Sequence, residues 1–262
     1  MTPSLKNLVK RLLSAAGYEI HRASPPLGVR TSVRQSYELI RDLGFTPKTV
    51  IDVGVAGGTP DLYRSFPDSF LLLVEPLKEF DAAIKVILEG RSGLHVAAAA
   101  GATTGQVAFN VHDNHLDGSS LLEETTGSVL DGHRITVPLV RIDDIVEERS
   151  LEGPFFIKVD VQGGEVQVLE GSPRTLAAAE AVALEVSMFG FLKGGPQFYD
   201  VVQYMKDRGF VAFDIVPGWN RPLDGALGQV DILFVKEHGR FRKDHTFGTL
   251  EQIRGIFGRA EA

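Results

Sequence analysis

The sequence contains no cysteine, which excludes disulfides, thiolate zinc sites, iron–sulfur clusters and a cysteine nucleophile. It also lacks any run of about 18 apolar residues, so no membrane span is expected. The first residues have no apolar core of a secretory signal, and the expected location is cytoplasmic. Basic residues are in deficit: Lys plus Arg number 27 against 34 Asp plus Glu, a formal charge of −7. Nucleic acid is therefore not an expected partner. Tryptophan occurs once, at Trp219. What is present is a globular composition, 44% hydrophobic and 23% charged over 262 residues, enough for one large α/β domain or two small ones.

Four short apolar runs each end on a carboxylate: Val50-Ile51-Asp52, Leu71 to Glu75, Phe155 to Asp160, and Ala181 to Glu185. Such runs read as buried strands of a parallel sheet. Ligands of open α/β sheets bind beyond the carboxyl ends of the strands, so the four acids are expected to line one crevice. Buried carboxylates are costly unless paired or hydrogen-bonded, so that crevice must hold something.

Residues 1–29 read as an N-terminal helical appendage ending at Ser24-Pro25-Pro26. Its stripe of Leu5, Leu8, Val9, Leu12 and Leu13 beside Lys6, Lys10 and Arg11 reads as a packing helix; a weak membrane-surface contact through residues 4–16 is the second reading. The body, residues 30–240, alternates helix (32–43), strand (49–55), helix (from Pro60), strand (71–75), helix (77–89) and strand (94–99). After an insertion at about 105–140 with two strands of its own, the alternation resumes: strand 155–160, helix 165–178, strand 181–187, helix 197–208. The last two strands, near 210–215 and 230–236, are expected to form an antiparallel hairpin, and 241–262 a tail. The fold class is thus α/β, a doubly wound, mostly parallel sheet.

The first strand runs into Asp52-Val53-Gly54-Val55-Ala56-Gly57-Gly58, glycines that permit a sharp turn and close ligand approach. Glu75 follows roughly 20 residues later, where an acid accepts hydrogen bonds from ribose hydroxyls. The glycine spacing is not that of a dinucleotide site, no Gly-Lys-Ser/Thr is present, and the turn has no basic residue to meet a phosphate. An adenosine cofactor with a cation and no phosphate, S-adenosylmethionine, fits better than NAD.

Val50 to Gly54 with Gly57 and Gly58, then Val74-Glu75-Pro76, resemble the first two motifs of class I methyltransferases, whose fold is Rossmann-like. Ile157-Lys158-Val159-Asp160-Val161-Gln162-Gly163-Gly164-Glu165, continuing to Gly171, resembles the signature of the FkbM-type methyltransferases. Val140-Arg141-Ile142-Asp143-Asp144-Ile145 and Gly118-Ser119-Ser120-Leu121 resemble two further segments of that family, and the match covers roughly 48–236. The resemblance implies methyl transfer from S-adenosylmethionine, typically to a hydroxyl of a sugar or secondary metabolite. It implies that Asp52 and Gly54, with Gly57, border the methionine moiety, that Glu75 beside Pro76 binds the ribose, and that the segment holding Ala99 flanks adenine. A small-molecule or glycan acceptor is the expected partner.

Transfer to oxygen needs an aligned nucleophile and a place for its proton. Asp160 is the expected base or orienting group. Lys158, two residues earlier, shares its face and should pair with Asp160 or Glu185; a purely structural Lys158–Asp160 pair is the alternative. His115, in the polar stretch 112–120, is a second candidate base, although that stretch also reads as a solvated loop. Asp160, Glu185 and Asn114 or His115 could ligate a divalent ion, but no tight metal spacing exists and no metal is assigned. Trp219 either stacks on a sugar ring or anchors the hairpin. The competing functions are an NAD-dependent enzyme and a non-catalytic binding module.

Overall fold

The computed structural model describes residues 28–126 and 132–257. The chain divides into two units, 1–31 and 32–262, and everything below lies in the second. The stretch 4–16, with its helical stripe, lies outside the described residues. Among the described residues no helix is long and apolar enough to cross a membrane.

Seven strands form the main sheet: β1 (Thr49–Val53), β2 (Phe70–Val74), β3 (Gly93–Val96), β7 (Phe155–Val159), β8 (Ala179–Ser187), β9 (Phe210–Pro217) and β10 (Gln229–Lys236). Their order is β3-β2-β1-β7-β8-β10-β9. The first five run parallel, and β10 inserts antiparallel between β8 and β9. The expected terminal hairpin is therefore present. Strand order turns back between β1 and β7, which is where a ligand crevice forms in such sheets.

Alternate residues of each strand feed two separate cores. Ile51, Val53, Leu72, Val74, Ile157 and Val159 face one side with Val168, Leu169, Leu176, Val201 and Met205. Val50, Leu71, Leu73, Phe156 and Ala183 face the other with Tyr37, Ile40, Leu62 and Ile84. Helices thus cover both faces: α4 (Ile142–Glu148), α5 (Glu165–Glu170), α6 (Pro173–Ala178) and α7 (Phe198–Asp207) on the first, α1 (Val33–Asp42), α2 (Pro60–Ser65) and α3 (Asp81–Leu88) on the second. Each fully buried Leu, Val, Ile or Phe contributes roughly 1.5–3 kcal/mol, which is why continuous apolar runs select the doubly covered sheet.

Two expectations are corrected. The single helix at 165–178 is two, broken at Gly171-Ser172. Pro173 lacks the N–H an uninterrupted helix needs and instead opens α6, whose N-terminal amides of Arg174 and Thr175 donate to the buried Asp143 carboxylate at 3.0 and 2.8 Å. Likewise the third strand ends at Val96, and Ala99-Ala100 form β4, which joins β5 (Gly105–Val111) and β6 (His133–Val140) in a second, three-stranded sheet. The described C-terminal segment closes with α8 (Leu250–Phe257).

Candidate active site

A cavity of about 710 Å³ opens beyond the carboxyl ends of β1, β2, β7 and β8. Of the expected site residues, Gly54, Gly57, Glu75, Pro76, Ala99, Lys158, Asp160, Glu185 and His115 all line it. Asp52 does not. It is wholly buried, one position before the end of β1, and lies among protein groups rather than against a ligand. The expectation of four acids facing one crevice is corrected to three, joined by a fourth that sequence reading passed over, Asp231 of β10.

Asp52 and Lys158 are adjacent across the β1–β7 pairing, and this register explains the correction. Lys158 Nζ lies 3.2 Å from Asp52 Oδ1 and 3.4 Å from Asp160 Oδ2, and it donates to the Gly54 carbonyl at 3.0 Å. Tyr63 donates its hydroxyl to Asp52 Oδ2 at 2.5 Å. Burial alone would discharge Lys158, but Asp52 and Asp160 outweigh it and raise its pKa, so it is a fixed cation and not a base. Glu185 is not its partner. Glu185 accepts instead from Gln162 Nε2 at 2.8 Å and Gln229 Nε2 at 3.0 Å.

At one end of the cavity the main chain does the holding. Glu75 accepts the Ala56 and Leu77 amides, each at 2.9 Å, so its carboxylate is fixed while lone pairs remain for a hydroxylated ligand. Burial raises its pKa, opposed by those two amides. Gly54 has φ +76, and a Cβ there would sit 1.8 Å from the Asp160 carbonyl oxygen. Only glycine lets the β1 and β7 ends touch.

At the other end carboxyl groups crowd. Asp231 lies directly opposite Glu185 in the antiparallel β8–β10 register. Burial, then Asp160 and Asp231, push Glu185 up to about 9; burial and Asp160 push Asp231 up to about 6. Like charges this close cannot all ionise, and burial places the retained proton on Glu185 first. Trp219 stands over this end, half-exposed, with its ring stacked on Phe191 at 6.4 Å and 10°.

His115 is exposed at the rim, whereas Asn114 does not line the cavity. Ser119 and Ser120 are buried and engaged within the protein: Ser119 accepts the His112 amide at 3.1 Å and Ser120 donates to the Gln162 carbonyl at 2.6 Å. The Ser-Ser segment is thus fastened within the protein, while His115, Leu116, Asp117 and Ser119 of the same stretch line the cavity. No group of three or more His, Asp or Glu among the described residues is arranged to hold a metal ion. Gln162, Gln229 and Asp231 were missed at the sequence level. The signal for Asp231 was there, one acid inside the apolar run Val230 to Val235.

A parallel sheet that ends in an antiparallel hairpin, with an acid after the second strand and a glycine turn after the first, defines a class I methyltransferase. The family model for the methyltransferase FkbM domain matches residues 61–212. That is more than half of the chain, which belongs to this family, and its methyl donor is S-adenosylmethionine. No curated protein sequence matches. Among solved structures, the chain is similar to magnesium protoporphyrin IX methyltransferase from Synechocystis with bound S-adenosylmethionine, at 11% identity and a TM-score of 0.42, covering 90% of this chain and 100% of that one. It is also similar to a precorrin-6y C5,15-methyltransferase from Geobacter metallireducens, at 12% identity and 0.41, covering 82% and 100%. Similarity at this level says nothing of substrate.

The residues present fit the donor. The turn at 54–58 offers no cation to a phosphate, Gly57 has open space where a Cβ would stand, and Glu75 is held ready at the cavity wall. Ala98, Ala99, Leu77 and Phe109 give an apolar wall beside it, suited to a purine.

Proposed function

We propose that the protein transfers a methyl group from S-adenosylmethionine to a hydroxyl of a sugar, glycan or glycosylated metabolite. The bound donor would supply an electrophilic methyl on a good leaving group. The protein's task is then to bind, orient and take up a proton.

The observation carrying this reading is the acceptor end of the cavity. Asp160, Gln162, Glu185, Gln229 and Asp231 present carboxyl and amide groups on one wall beneath the half-exposed Trp219. Sugar hydroxyls both donate and accept, and their ring faces stack on aromatics. Asp160, with a third of its side chain exposed, is the group that takes the acceptor proton or its hydrogen bond. Lys158 holds its Oδ2 side and Gln162 its Oδ1. Glu185, whose Oε2 already accepts two amides, keeps its other oxygen for its proton and so donates.

The test is methyl incorporation into a panel of sugar acceptors. Asp160→Asn should lower turnover by about 100-fold or more while binding S-adenosylhomocysteine as wild type does in calorimetry. Near-normal turnover with normal binding would refute the role of Asp160.

A further inference from the structure

We propose that Gln162 is the positioning residue of the acceptor half, its side-chain amide holding Asp160 and Glu185 in one fixed arrangement. The functional reading above supplies only what that arrangement serves.

The amide nitrogen has two hydrogens, and both are used: one to Asp160 Oδ1 at 2.9 Å, the other to Glu185 Oε2 at 2.8 Å. Both partners are carboxyl oxygens, so the donor end of the amide must face them. The two acids come from different strands, and this one side chain spans them.

Gln162 sits at φ +55, a region that non-glycine residues seldom occupy. Such a conformation persists only where the surroundings over-determine it, and here they do. Ser120, fully buried, donates to the Gln162 carbonyl. Glu165, also buried, accepts the amides on either side of it, Val161 at 3.2 Å and Gly163 at 3.1 Å. Two separate segments therefore fix a backbone that glycine would adopt more easily. A glutamine in that place is explained by its side chain. The other charged or titratable groups around the two acids are Lys158, Asp52, Asp231, Glu165 and Tyr37, and none of them bridges both.

The experiment is a carbon-13 carboxyl NMR titration of the full chain, with Asp160 and Glu185 assigned by substitution, in wild type, Gln162→Gly and Gln162→Asn. Melting temperature and calorimetry with S-adenosylhomocysteine accompany it. Gln162→Gly should melt no lower than wild type, since it relieves the backbone, and should keep its affinity. Glu185 should titrate about one pH unit higher and the Asp160 carboxyl resonance should shift, each having lost a donor. Gln162→Asn, one methylene too short to span both acids, should move at least one of them. On an accepted sugar, kcat should fall by roughly tenfold or more with KM for the donor unchanged.

Unmoved titrations in a folded Gln162→Gly protein overturn the proposal. So does a loss of S-adenosylhomocysteine affinity in step with the titrations, or a Gln162→Gly chain that does not fold; either makes Gln162 a part of the general architecture. If wild type methylates no sugar, the functional reading fails and the titrations still decide the role of Gln162.

Discussion

Around Glu75 the cavity wall is organised by main chain, and around Asp160 by side chains. Two amides fix the Glu75 carboxylate, and the turn beside it carries no charged group from Gly54 to Pro60. Across the cavity, Asp160 and Glu185 share two glutamine amides and one lysine that also serves Asp52, with Asp231 opposite Glu185. Main-chain donors are set by the fold and tolerate no adjustment, which suits a ligand that is always the same. Side-chain networks can be re-tuned singly, which would suit the end where the proposed acceptor binds.

The sharpest way to break this division is at the point where the halves meet. Gly54→Ala would place a methyl 1.8 Å from the Asp160 carbonyl at φ +76, so both turns must move. Destabilisation of about 4 kcal/mol or more is expected, read as a large fall in melting temperature with loss of both cofactor binding and transfer. A variant that melts with wild type would show the two turns to be independent.

A smaller effect, confined to one half, should follow Glu75→Gln. The amide cannot accept from both Ala56 and Leu77, so affinity for S-adenosylhomocysteine should drop by roughly 10- to 100-fold. With saturating donor, kcat should hold. A kcat that falls equally would erase the boundary between the halves.

The smallest effect concerns pH. Glu185, at about 9, holds its proton well above the range of an unfolded carboxyl. Between those values the folded state binds more protons than the unfolded one, so stability falls as pH rises from about 4.5 through about 9. Glu185→Gln removes that share, and urea denaturation near pH 6 and near pH 8 should show a shallower loss than in wild type. Identical slopes would mean that Glu185 ionises normally.

Much of the fold was legible because it is written in local runs. The apolar stretches at 50–53, 71–74 and 155–159 are buried on both faces, and the terminal hairpin announced itself by its Pro/Gly link. Glu75 was legible for the same reason, lying next to its strand. The break at Pro173 could have been read from the proline alone. The acceptor half was harder, since its parts meet only through pairing between strands distant in sequence. Nothing near Asp231 says that it opposes Glu185. Nothing near Asp52 says that Lys158, about a hundred residues on, lies beside it. In the polar stretch 112–120 hydroxyls are ambiguous in sequence: Ser119 and Ser120 are buried internal fastenings, while His115, Leu116 and Asp117 line the cavity.

The hydroxyl of Ser120 pins the insertion to the turn that carries Gln162, and Leu122 packs beside Gly163 of the same turn. Chain on either side of a pin can lengthen, shorten or change composition with little strain reaching the far side of it. Residues 121–126 are held as well, by Asn110 Nδ2 on the Leu122 carbonyl, Thr125 on Phe191 and Lys193 on Glu123. That leaves the exposed turn 113–115 as the stretch whose composition can change with least strain on Gln162.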